Sequence, residues 1–176
     1  IFAIGDAAGG YQFTHLAEHH AGVVLRQALF RMWWAKPSPV VPWCTFTDPE
    51  LARVGLSETE ARARGVAHRV YRFAFAEIDR ARAESETEGF AKIVTNPKGR
   101  LLGAAIVGPH AGELIAEYVL ALSKGMNAKD LTGVIHAYPT LAQVNRRVAD
   151  QRLKEGLTPT AKTWIQRIFG LRGARA

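Results

Sequence analysis

Two short apolar runs, Phe90–Thr95 and Leu101–Val107, flank the segment Asn96-Pro97-Lys98-Gly99. Strand-forming runs of that length joined by four turn residues are a strong hairpin signal, and they put an antiparallel sheet at the centre of the chain. The flanks add to it. Val41–Thr47, Ala52–Gly55 and His68–Phe75 read as further strands. Ser57-Glu58-Thr59-Glu60 is a capping box that opens a helix stopping at Gly65. Glu77–Glu88 is charged and reads as irregular or a short helical turn. Helices are predicted from about Gly112 to Lys124, Ala128 to Val134 and Pro139 to Glu155, the last with proline at its first position and Gly156 at its stop. The expected class is α+β: an antiparallel sheet with helices on one side.

The first residues belong to a different pattern. Ile1–Ile4 is an apolar run ending in Gly5-Asp6-Ala7-Ala8-Gly9-Gly10, as in a buried parallel strand that needs neighbours. With no initiator Met or signal-peptide features, the chain reads as beginning inside a longer protein. A helical pattern follows from about Phe13 to Trp34, and Pro37, Pro39 and Pro42 make a stiff linker after it. Three parts are therefore expected: 1–36, 37–155 and a tail, 156–176.

Charge distinguishes these parts further. The formal net charge is +7, from 23 Lys/Arg and 16 Asp/Glu. Residues 146–176 hold eight of those cations and two of those carboxylates, so the body is near neutral and the tail strongly basic. A neutral body argues against a nucleic-acid partner. No apolar run is long enough to span a bilayer. The lone Cys44 excludes an internal disulfide and suits a reducing cytoplasm.

In open α/β sheets, ligands sit beyond the carboxyl ends of strands. There Asp6 can accept hydrogen bonds from ligand hydroxyls, while a following helix directs its free N–H groups and positive dipole end at the same place. The segment IFAIGDAAGG plus helix resembles the second flavin-binding motif of the pyridine nucleotide–disulfide oxidoreductases. TFTDPELARVGLSETEA resembles that family's opening strand and Pro-Glu segment. GFAKIVTN and LLGAAIVGPHAGELIAEYVLAL resemble its central hairpin and long helix. The resemblance runs from residue 1 to about 148, a layout shared by lipoamide dehydrogenases, glutathione reductases and mercuric reductases.

The resemblance implies that 1–36 is the last strand and helix of an FAD-binding domain and that 37–155 is a dimerisation domain. Gly5, Asp6, Phe13, Thr14 and His15 would then lie at FAD, with Asp6 on the ribityl hydroxyls. It implies FAD and NAD(P)H as cofactors of a homodimeric parent with upstream FAD and NAD domains, and no cofactor retained by this chain alone. It also implies that the loop His136-Ala137-Tyr138-Pro139-Thr140 reaches the partner subunit's flavin site. Related disulfide reductases carry His-Pro-Thr there, with a Glu three residues after the Thr, as an acid/base pair. Here Tyr138 and Gln143 occupy those positions. A phenol is a poor base near neutral pH, and Gln cannot support an imidazolium. The candidate catalytic residues are Tyr138 and, two positions earlier, His136. The tyrosine is similar to what mercuric reductases show, but the terminal cysteine pair of those enzymes is absent from Leu171–Ala176. The electron acceptor stays open.

Other candidates carry less. Cys44 reads as buried and inert. His15 and His19 share a helical face, but no metal site is expected because no set of ligands completes them. Residues 157–171 put Leu157, Ala161, Trp164, Ile165, Ile168 and Phe169 on one helical face, with Lys162, Gln166 and Arg167 on the other. That stripe either packs on protein or lies on the inner face of a membrane. The competing reading from another class is a stand-alone dimerising or membrane-docking module with a vestigial flavin motif.

Overall fold

A computed structural model describes residues 1–170; Leu171, the end of the predicted amphipathic stripe, lies outside them, as do residues 172–176. The hairpin forms as its turn chemistry dictates. Strands β4 (Phe90–Thr95) and β5 (Leu101–Gly108) pair antiparallel from Phe90 against Val107 to Thr95 against Leu101, with a register shift at Val94/Thr95. Asn96 closes the loop three times. Its N–H donates to the Arg100 carbonyl at 2.9 Å, its carbonyl accepts from Gly99 N, and its Oδ1 accepts from Arg100 N.

Three more strands complete one antiparallel sheet: β1 (Pro42–Thr45), β2 (Glu50–Gly55) and β3 (Arg69–Ala74), in the order β1-β2-β5-β4-β3. The pleat sends Ala52, Val54, Ala91, Ile93, Ala104 and Ile106 to one face, where each is buried. Onto that face pack α4 (Ala111–Leu114), α5 (Ala116–Ser123), α6 (Ala128–Thr132) and α7 (Gln143–Glu155). They contribute Tyr118, Leu131, Val144 and Val148 to one continuous core. Each fully buried Ile or Val contributes on the order of 1.5–3 kcal/mol. Between β2 and β3 lies α2 (Glu58–Ala63), which opens on the predicted capping box: Ser57 Oγ accepts from Glu60 N, and the Glu60 carboxylate accepts from Ser57 N. Glu60 also pairs with Arg53, and Glu58 with Lys92, which stand on either side of Ala105 in one cross-strand row. The charged stretch after β3 holds a 3-10 turn, Phe75–Glu77, and the short helix α3 (Asp79–Ala83).

Four boundaries differ from the sequence expectation. Ile1–Ile4 forms no strand, because it pairs with none of the five strands; Phe2 and Ile4 are exposed, and Gly5–Ala8 is a 3-10 turn. Helix α1 (Thr14–Ala28) stops well before Trp34. Arg31 takes a left-handed conformation there, and Met32 N reaches back to the Arg26 carbonyl, a helix stop made without glycine. The predicted helix over 112–124 is interrupted at Ile115 into α4 and α5. Helix α7 begins at Gln143 and not at Pro139; residues 140–145 first pass through short turns in which Gln143, Val144 and Asn145 N bond three residues back. The tail forms α8 (Pro159–Phe169), capped by Thr158 Oγ1 on Ala161 N and carrying Pro159 in its first turn.

Candidate functional site

The Gly5-Asp6 turn lies against α1. Gly5 is buried at φ +58°, and its N–H donates to His20 Nδ1 at 3.2 Å. A Cβ at this position would stand 2.9 Å from the Ala17 Cβ, so both backbone angle and space call for glycine. The neighbouring Asp6 side chain is exposed. At the start of α1, Phe13 is the N-cap residue and supplies no side-chain cap. The first-turn N–H groups of Thr14 and His15 are thus left without a capping acceptor, at the positive end of a fifteen-residue helix.

Phe13, Thr14 and His15 line a cleft of about 480 Å³ together with Pro42, Trp43, Cys44, Phe46, Gly112 and Ile115. Phe13 stacks on His15 and on Trp43, and Arg53 caps the Trp43 ring at 4.5 Å. The structure therefore joins three of the sequence-predicted cofactor residues to β1. His15 Nε2 lies 2.8 Å from the Pro42 carbonyl, and His19 Nε2 accepts from Ser38 N, so both histidines fasten α1 to the proline-rich linker. Among the described residues, no three His, Cys, Asp or Glu side chains cluster as metal ligands.

Cys44 is half-buried at the cleft wall, more open than the buried position expected. Burial and the adjacent Glu50 carboxylate push its thiol pKa up, away from the thiolate form that reacts. The same Glu50 carboxylate accepts from Gly112 N at 2.9 Å and fixes the start of α4.

The loop 134–140 is held separately. His136 Nε2 lies 3.0 and 3.1 Å from the two Glu117 carboxylate oxygens on α5, and Nδ1 lies 3.2 Å from the Val134 carbonyl. Asn145 Nδ2 on α7 donates to the same Glu117 carboxylate at 2.8 Å and to the Leu114 carbonyl at 3.0 Å. Two helices and the loop thus share one carboxylate. Tyr138 is 70 % exposed, and its hydroxyl donates to Asp79 at 3.2 Å. Among the described residues, neither His136 nor Tyr138 hydrogen-bonds to residues 5–15. Sequence reasoning missed Glu117 and Asn145. The available signal was a lone carboxylate inside the apolar stretch LIAEYVLAL and an asparagine among the core positions of α7.

This is an antiparallel sheet packed against helices, with a Gly-Asp turn and helix α1 placed before it. A family model described as Pyridine nucleotide-disulphide oxidoreductase, dimerisation domain, matches residues 41–148, and the chain belongs to that family. A dihydrolipoyl dehydrogenase from Chlamydia muridarum is 39% identical over 145 residues, covering 82% of this chain and 31% of its own length. One from Geobacillus stearothermophilus is 38% identical over 154 residues, covering 87% and 33%. The HOCl-induced flavoprotein disulfide reductase RclA from Escherichia coli superposes with TM-score 0.77 at 28% identity, covering 85% of this chain and 35% of that one. These relatives are dihydrolipoyl dehydrogenases and a disulfide reductase and not specifically mercuric reductases, and the chain spans about a third of their length.

Proposed function

We propose that this chain serves an FAD-dependent, NAD(P)H-linked oxidoreductase as the close of its flavin-binding domain (1–36), its dimerisation domain (37–155) and a basic tail (156–176). The observation that carries the reading is the pairing of an exposed carboxylate at Asp6 with an uncapped helix N-terminus at Phe13–His15, one element before the family's dimerisation domain. Both fit a flavin. Asp6 would accept hydrogen bonds from ribityl hydroxyls, and the free N–H groups of Thr14 and His15 would face the electronegative edge and pyrophosphate side. When bound, FAD would take a hydride from the nicotinamide and pass electrons on to a disulfide.

Two copies would form the working unit, each sending its Tyr138 loop to the other's flavin site. His136, held by Glu117, would anchor that loop and is the second candidate catalytic residue. The Tyr138 phenol would donate a hydrogen bond at neutral pH but not act as a base. This sets the protein apart from dithiol-oxidising relatives and, in this one residue, leaves it similar to mercuric reductases. The lone cysteine suits the cytoplasm, and α8 offers a means of resting on the inner face of the membrane. As the 176-residue chain alone, it would retain no FAD and catalyse nothing.

The test is NAD(P)H oxidation by the whole protein against lipoamide, glutathione disulfide, quinones and Hg(II). A missing general base costs on the order of 10²–10⁴-fold. Lipoamide and glutathione disulfide should therefore run at least about 100-fold below the best acceptor. Lipoamide as the fastest acceptor would contradict the role given to Tyr138.

A further inference from the structure

We infer that α8 is a docking helix for an anionic lipid surface; this deepens the localisation proposed above and is independent of the flavin reading. The helix has its own start and stop: the Thr158 cap and Pro159 at one end, Gly170 in a left-handed conformation at the other. No residue of it is buried. Trp164, Ile165, Ile168 and Phe169 are exposed by 60, 38, 67 and 71%, and Leu157 just before it by 48%.

At 3.6 residues per turn, Ala161, Trp164, Ile165, Ile168 and Phe169 fall in one arc of roughly 140°. Thr160, Lys162, Thr163, Gln166 and Arg167 take the rest. Lys162 lies beside the Phe169 edge of that arc and Arg167 toward the Trp164 edge. A cation on each flank lets both side chains rise to head groups while the apolar arc sinks below them.

Charge favours a bilayer over a second copy of the helix. Residues 156–176 contain Lys162, Arg167, Arg172 and Arg175 and no carboxylate. A second copy of the helix would bring like charge against like charge, whereas a leaflet of anionic head groups complements every one. The segment also lies beyond residue 148, where the family's shared domain ends.

The experiment is co-sedimentation of the full chain with sucrose-loaded vesicles. One set is an equimolar mixture of phosphatidylglycerol and phosphatidylcholine, the other pure phosphatidylcholine, each at about 0.05 M and about 0.5 M NaCl. Pelleting with the anionic set at low salt, at least about tenfold stronger than with the neutral set and weakened by salt, is the expected result. Ile168→Asp/Phe169→Asp and, separately, Lys162→Glu/Arg167→Glu should each reduce it at least about tenfold. Both alter only exposed side chains, and an unchanged thermal unfolding curve shows that the body is intact. Equal recovery in the supernatant with both vesicle sets overturns the inference, as does undiminished pelleting of either variant. Dissociation of an oligomer by Ile168→Asp/Phe169→Asp, without vesicles, overturns it in favour of a subunit contact.

Discussion

At the scale of single residues, Ser57 and Glu60 show how much a local rule fixes. The spacing Ser-x-x-Glu is legible in the sequence, and both reciprocal hydrogen bonds form. Hydrogen bonds from Ser57 backbone and side chain, with the Arg53 guanidinium in support, hold the Glu60 pKa down to about 2. The folded value lies below the ordinary carboxylate value of 4.5, so this stabilisation is present above pH 4.5 and is lost as pH falls towards 2. Ser57→Ala should cost about 1 kcal/mol at neutral pH. In urea unfolding at about pH 7 and about pH 3, the gap between variant and wild type should narrow on acidification. A gap that is constant or widens would contradict the assignment. The Glu117 cluster was not legible in the same way. His136, Glu117 and Asn145 are separated by 19 and 28 residues, and only tertiary packing brings them to one carboxylate.

Among the elements, the five strands of the sheet follow from short apolar runs set between turn residues, and the structure forms all five. The errors cluster at helix ends. Arg31 ends α1 without glycine, and the turns before Gln143 delay α7, so neither has a residue type that marks it. Ile1–Ile4 stays unpaired for another reason: the neighbours that a parallel strand needs are not among the described residues. Glycine is required where β2 leaves the sheet. A Cβ on Gly103 would stand 2.1 Å from the Leu56 carbonyl oxygen and 2.6 Å from its nitrogen, atoms of a backbone that is itself tied to Leu102. Gly103→Ala should therefore destabilise by more than about 3 kcal/mol or prevent folding. Thermal unfolding checks this, and a shift of under about 2 °C would show that the crossing is looser than the geometry indicates.

For the whole molecule, the exposed apolar side chains next to the Tyr138 loop would lie in the contact between the two proposed copies. Leu120 lies one turn beyond Glu117 and is 59% exposed; Val134 and Ile135, beside His136, are 43% and 92% exposed. A stable interface buries on the order of 1,000 Å² or more and concentrates such residues at its centre. Leu120→Asp/Ile135→Asp should shift the protein from dimer to monomer in analytical ultracentrifugation with its helical content intact. An unchanged dimer would place the contact elsewhere.

The central claim is that the opening carboxylate meets a flavin in the assembled protein, and FAD affinity reads it most directly. The whole protein should purify with about one FAD per subunit, and Asp6→Ala should weaken FAD binding by about 10–100-fold, the loss expected for hydrogen bonds to a charged acceptor. A flavin-free wild type, or an Asp6→Ala protein that holds FAD as tightly as the wild type, would contradict it.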